Sequence, residues 1–84
     1  MQKYFIKGVG VLNAEYEKEV GTKIRHYREK RNMTQEILSA KMQLEGCDIT
    51  RSALAKIEVG QRHIYLDELK IIVELLNISY DDIL

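Results

Sequence analysis

A chain of 84 residues has room for one hydrophobic core and none for a second domain. Hydrophobic residues make up 45% and charged residues 31%, with no proline and no tryptophan, which fits a small soluble all-helical domain better than a disordered or all-β one. Thirteen basic side chains balance thirteen acidic ones, so the bulk charge points to no polyanionic partner.

Residues 1–13 form an extension in which Tyr4, Phe5, Ile6, Val9, Val11 and Leu12 favour a strand or a packed arm. Three arrangements fit it: pairing with its copy in a dimer, folding over the body, or trailing free. Its apolar content favours the first two. The apolar stretch is broken by Lys7 and two glycines and ends in no small-residue cleavage pattern, so no signal peptide is expected.

Asn13 is the expected cap of a first helix running to about Arg31, with Val20, Ile24 and Tyr27 facing inward at spacings of four and three. Gly21 in its middle costs about 1 kcal/mol against alanine, which close packing on a neighbour would explain. Arg28, Lys30 and Arg31 crowd the carboxyl end, where cations oppose the helix dipole favourably, and Asn32 closes the helix. Thr34 caps a second helix whose core contacts are Leu38 and Met42. Thr50 caps a third, with Leu54 and Ile57 inward and Gly60 as its left-handed terminator. A fourth helix is expected from about Leu66 to Leu76, with Leu66, Leu69, Ile72, Val73 and Leu76 inward. Ser79 caps a last turn, YDDIL, whose Asp81 and Asp82 suit its first-turn dipole.

The zero net charge hides a segregation. Residues 1–19 balance; residues 20–63 hold nine basic against five acidic side chains; residues 64–84 hold one against five. Such a field offers a positive middle to a polyanion, although charge runs are also ordinary solvated helix faces. The stretch MTQEILSAKMQLEGCDITRSALAKIEVGQR, residues 33–62, decides between these. It reads as two short helices joined by a turn, the second carrying uncharged polar and basic residues on its outer faces.

From Val20 to the carboxyl end the chain resembles the helix-turn-helix domain of phage repressors, Cro proteins and their bacterial relatives. The segments VGTKIRHYREKRNMTQEILSAKM, ITRSALAKIEVGQR and LDELKIIVELLNISYDDIL carry the resemblance. Within them Thr34-Gln35-Glu36, Leu54, Ile57-Glu58, Gly60, Arg62 and the Leu-Asn-Ile-Ser ending match together. It implies an all-α, four- to five-helix, lambda-repressor-like domain over residues 14–84, preceded by the short extension. In that family the third helix lies in the major groove and reads base edges from its amino-terminal turns. The positions carried over are Thr50, Arg51, Ser52, Ala55 and Lys56. Arg51 can pair bidentately with guanine, Ala55 can touch only a thymine methyl, and Thr50 and Ser52 can serve bases or phosphates. Thr34 and Gln35, opening the second helix, and Arg62, past the third, match backbone contacts. Arg28 and Glu58 match an ion pair that joins the first helix to the end of the third in relatives.

Four features depart from the pattern. The connection QLEGCD is about five residues longer than the usual tight turn, so the second helix should reach Leu44 or Glu45 and end at Gly46, placing Ile37 and Leu44 on one face. Val59 stands where relatives often carry asparagine, and Ser39 where alanine is common. The extension is the fourth; trailing free, it would bring Lys3 and Lys7 near DNA.

The function expected is therefore a sequence-specific regulator, most simply a repressor, binding double-stranded DNA as a homodimer on a two-fold-related operator. Ile71 and Leu75, on the less inward side of the fourth helix, are candidate interface residues. The alternative is a protein-interaction module of the same fold, an antitoxin or adaptor, with the long turn and apolar arm as its contact surface. No nucleophile–base pair, phosphate loop or metal-ligand spacing points to an enzyme, a cofactor or a small-molecule ligand. The single cysteine, Cys47, and the lack of a membrane-length apolar run fit a cytoplasmic protein.

Overall fold

In the computed structural model, which describes residues 14–84, four residues with positive φ punctuate the chain: Asn32 (58°), Gly46 (86°), Gly60 (78°) and Asn77 (54°). Each follows a helix: α1 (Ala14–Lys30), α2 (Gln35–Leu44), α3 (Arg51–Glu58) and α4 (Leu66–Leu76), with α5 (Tyr80–Ile83) completing the described chain. All four endings share one hydrogen-bond pattern. The left-handed residue donates its N–H three residues back, and the next residue donates five back. At Gly46 the pair is Gly46 N to the Gln43 carbonyl (3.0 Å) and Cys47 N to the Met42 carbonyl (2.9 Å). Glycine and asparagine tolerate that conformation, which is why these helices stop where they do.

The amino ends are equally local in origin. Thr34 Oγ accepts from the Ile37 amide at 3.1 Å and Thr50 Oγ from the Ala53 amide at 3.0 Å. At the later helices an acid reaches back instead: Glu68 Oε1 accepts from the Tyr65 amide at 3.0 Å, and Asp82 Oδ2 from the Ser79 amide at 2.8 Å. The expected cap Asn13, and with it the whole 1–13 extension, lies outside the described residues.

The core is assembled from one stripe of each helix: Val20 and Ile24, Leu38 and Met42, Leu54 and Ile57, then Leu69, Ile72, Val73 and Leu76, closed by Ile83. Tyr27 is half-buried at its edge, with its ring edge-on to that of His26. Leu66 is a correction. Expected inward, it is 84% exposed. It lies about 70° around the helix from the centre of the buried stripe, at the edge of that stripe, and in the first turn nothing reaches out to cover it. Ile71 and Leu75 are half-buried against the core.

Gly21 marks a close approach of α1 to the end of α3. A Cβ there would run into the carbonyl oxygen of Ile57 and stand 2.8 Å from that of Glu58. Only a glycine lets α1 lie on the carboxyl end of α3, so its local cost is offset by tertiary packing. The lengthened connection is packed too. α2 extends to Leu44 as expected, and the chain then alternates, with Cys47 and Ile49 buried and Asp48 exposed between them. Gln43 Nε2 holds the Ile49 carbonyl at 2.8 Å. Ile37 and Leu44, on one face of α2, are 43% and 86% exposed.

Candidate nucleic-acid interface

Burial of Leu54 and Ile57 turns the other faces of α3 outward. Arg51, Ser52 and Lys56 are exposed and Ala55 is half-buried. Among the described residues the Arg51, Ser52 and Lys56 side chains have no hydrogen-bond or ion-pair partner. An unpartnered guanidinium and ammonium beside a hydroxyl, on one rigid helix, can donate to an acidic or acceptor-rich surface without first breaking an internal bond. Thr50 adds a hydroxyl that accepts from Ala53 and keeps its own proton free to donate. Thr34 stands in the same way at the start of α2, where the first amides have no internal acceptor and can hold an anion.

A cluster of charged side chains locks α3 to its neighbours. Arg28 Nε donates to Glu58 Oε2 at 2.7 Å and Nη2 to Oε1 at 3.0 Å, while Nη1 donates to the Met33 carbonyl at 2.7 Å. The Glu58 hydrogen bond raises the Arg28 guanidinium above its ordinary pKa despite the opposing effect of burial. Gln35 Nε2 completes the set, donating to Glu58 Oε1 at 3.0 Å. The end of α1, the start of α2 and the end of α3 therefore meet on one carboxylate. The ion pair expected between Arg28 and Glu58 is present, and Gln35 has its amide nitrogen turned inward on that pair.

Arg62 sits differently from a bare surface cation. Its Nη1 and Nη2 donate to Glu68 Oε1 and Oε2, both at 2.9 Å, and Nη1 also donates to the His63 carbonyl at 2.9 Å. The guanidinium lies over the Tyr65 ring, 5.6 Å from its centre. Burial pushes the Glu68 carboxyl up, but the Arg62 and Tyr65 hydrogen bonds outweigh it and hold the group below the usual carboxylate range. Nε–H and one Nη2–H of Arg62 remain unused. Neither periodicity nor the family resemblance singles out Glu68. An acid at the third position of a helix, six residues after an arginine, was the available signal.

Elsewhere the positive middle of the chain is partly neutralised internally. Arg25 pairs with Glu29 at 3.2 Å, and Arg31 Nε donates to the Leu76 carbonyl at 2.8 Å, tying α1 to the end of α4. His63 Nδ1 lies 2.8 Å from Glu17 Oε1. No described helix is long and apolar enough to cross a membrane.

A helix-turn-helix family model matches residues 24–83. The chain belongs to the helix-turn-helix family. The match takes in α2, α3 and the clamp on Glu58, and the family is one of DNA-binding regulators. No curated protein matches the chain. Among solved structures, the DNA-binding domain of BldD is similar in fold, with a TM-score of 0.74 over 87% of this chain and 99% of that one. At 19% identity that likeness concerns the fold and not the contacts.

Proposed function

We propose that this helix-turn-helix protein is a sequence-specific transcriptional regulator, most simply a repressor, that binds double-stranded DNA as a homodimer and inserts α3, about residues 50–58, into the major groove. The observation that carries the reading is the outer face of α3: Arg51, Ser52 and Lys56 have no side-chain partner among the described residues, on a helix held from behind by Arg28, Glu58 and Gly21. Arg51 reads a guanine, Ser52 and Ala55 contact neighbouring base edges, and Thr50 and Lys56 serve bases or phosphates. Thr34, Gln35 and the first amides of α2 hold a phosphate, and Arg62 uses its two free N–H groups on another while keeping Glu68.

Homodimer formation follows from the small surface a single such helix buries and the gain from engaging two half-sites at once. Selecting bound sequences from a random duplex pool tests the reading directly. A two-fold-related site, with affinity falling steeply as salt rises, is the expected result. Failure to bind any duplex at low salt refutes it. The Ile37–Leu44 face, 43% and 86% exposed, favours a second reading, in which α2 docks a partner protein, as an antitoxin or adaptor would. Under that reading the pool returns no preferred sequence.

A further inference from the structure

The six residues between α2 and α3 form a strap with a fixed shape. Its start is closed by the paired bonds at Gly46 and Cys47, its middle is anchored by Cys47 (8% exposed) and Ile49 (1% exposed) in the core, and its end is gripped by Gln43 on the Ile49 carbonyl. Anchoring Cys47 and Ile49 leaves the residues between and after them facing outward. Asp48 is exposed, two residues before the Thr50 cap, and its side chain has no partner among the described residues. Its carboxylate is thus solvent-exposed on the tight turn closed by the Ile49 amide on the Cys47 carbonyl (2.9 Å), next to the amino end of α3 that Arg51 begins.

Resting on the DNA-binding reading above, we propose that Asp48 is a specificity-determining residue: the strap places its carboxylate at the mouth of the major groove, where it accepts a hydrogen bond from a cytosine amino group next to the base pair read by Arg51. The chemistry is selective by attraction and by exclusion. A carboxylate has only acceptors, and in the major groove cytosine alone among the bases offers an amino donor without an adjacent acceptor on the same base edge. Opposite guanine O6 and N7 or thymine O4 the carboxylate faces acceptors and repels them. It also repels phosphate, so Asp48 lowers affinity for random duplex while raising discrimination. A tight turn too short to hold this residue has no such group to offer.

The test compares pool selections with the full-length protein, Asp48→Ala and Asp48→Asn. The expected result is a cytosine preference of about tenfold at one position of each half-site, lost in Asp48→Ala and moved toward adenine in Asp48→Asn, whose amide matches adenine N6 and N7. Binding of Asp48→Ala to random duplex should tighten at the same time. A wild-type site that both variants reproduce unchanged overturns the assignment to Asp48 and leaves DNA binding standing. A pool with no enriched site for the wild type overturns the DNA-binding reading and Asp48's role together. Thermal melting of the two variants should match the wild type, because the side chain is exposed; a large drop would mark Asp48 as a structural residue and count against the proposal.

Discussion

The Arg28 guanidinium meets the Glu58 carboxylate in a two-point fork, 2.7 and 3.0 Å, with the two side chains 8% and 1% exposed. Thirty residues of chain separate them, and their meeting joins the end of α1 to the end of α3. Both groups have left water, so neither tolerates the loss of the other. Glu58→Ala should lower the unfolding free energy by about 3 kcal/mol, because it strands a buried cation. Replacing both residues with apolar ones of similar size should recover much of that loss. Urea denaturation of the two variants checks this; Glu58→Ala within about 0.5 kcal/mol of wild type would show that the pair is not a clamp.

Gly21 and Gly46 make a contrasting pair. Alanine at Gly21 meets the backbone carbonyls of Ile57 and Glu58 and should force α1 and α3 apart, costing about 3 kcal/mol or preventing folding. Alanine at Gly46 meets no atom within 4 Å and suffers only from its left-handed backbone, a cost of about 1 kcal/mol. Thermal melts followed by circular dichroism should rank wild type, Gly46→Ala and Gly21→Ala in descending order. The opposite order would place the strain in the strap.

Glu68 sets an acid limit. Its folded-state pKa is depressed, so its contribution to stability is present above the unfolded-state value near 4.5 and is lost as pH falls through the lower folded value. Stability should therefore drop on acidification below about pH 4.5, and Arg62→Met should flatten that part of the profile by removing the partner that depresses the pKa. Denaturation series from pH 7 to 2.5 measure both slopes. Equal slopes would show that other carboxylates govern the acid limb.

Cys47 should be a slow thiol. Burial pushes its pKa up, and the nearby charges of Glu68 and Asp67 push in the same direction. Thiolate is the reactive form, so alkylation at neutral pH should be strongly retarded in the native protein and rapid in denaturant. Labelling at the same rate in both states would mean that the strap does not hold Cys47 in the core.

Arg51→Ala and Lys56→Ala separate reading from anchoring. Arg51→Ala should relax specificity at one base pair by about 1–3 kcal/mol. Lys56→Ala, if its ammonium serves phosphate, should weaken all duplexes alike and reduce the salt slope by about one. Both side chains lack partners among the described residues, so neither change should move the melting temperature appreciably.

The four helix endings, the Thr34 and Thr50 caps and the inward pairs Leu38–Met42 and Leu54–Ile57 were legible in the sequence alone, because each depends on residues within about five positions of one another. The outward placement of Arg51, Ser52 and Lys56 followed from the same periodicity, and the family resemblance extended to the Arg28–Glu58 pair. The tertiary structure alone decided what depends on separation in space. It turned Leu66 out to solvent, engaged Arg62 with Glu68 and Gln35 with Glu58, and carried Cys47 and Ile49 into the core. Periodicity gives the direction a side chain leaves its helix, but not how far the packed body extends to cover it. A turn read only as longer than usual thus became a fixed strap once the core drew in its alternate residues.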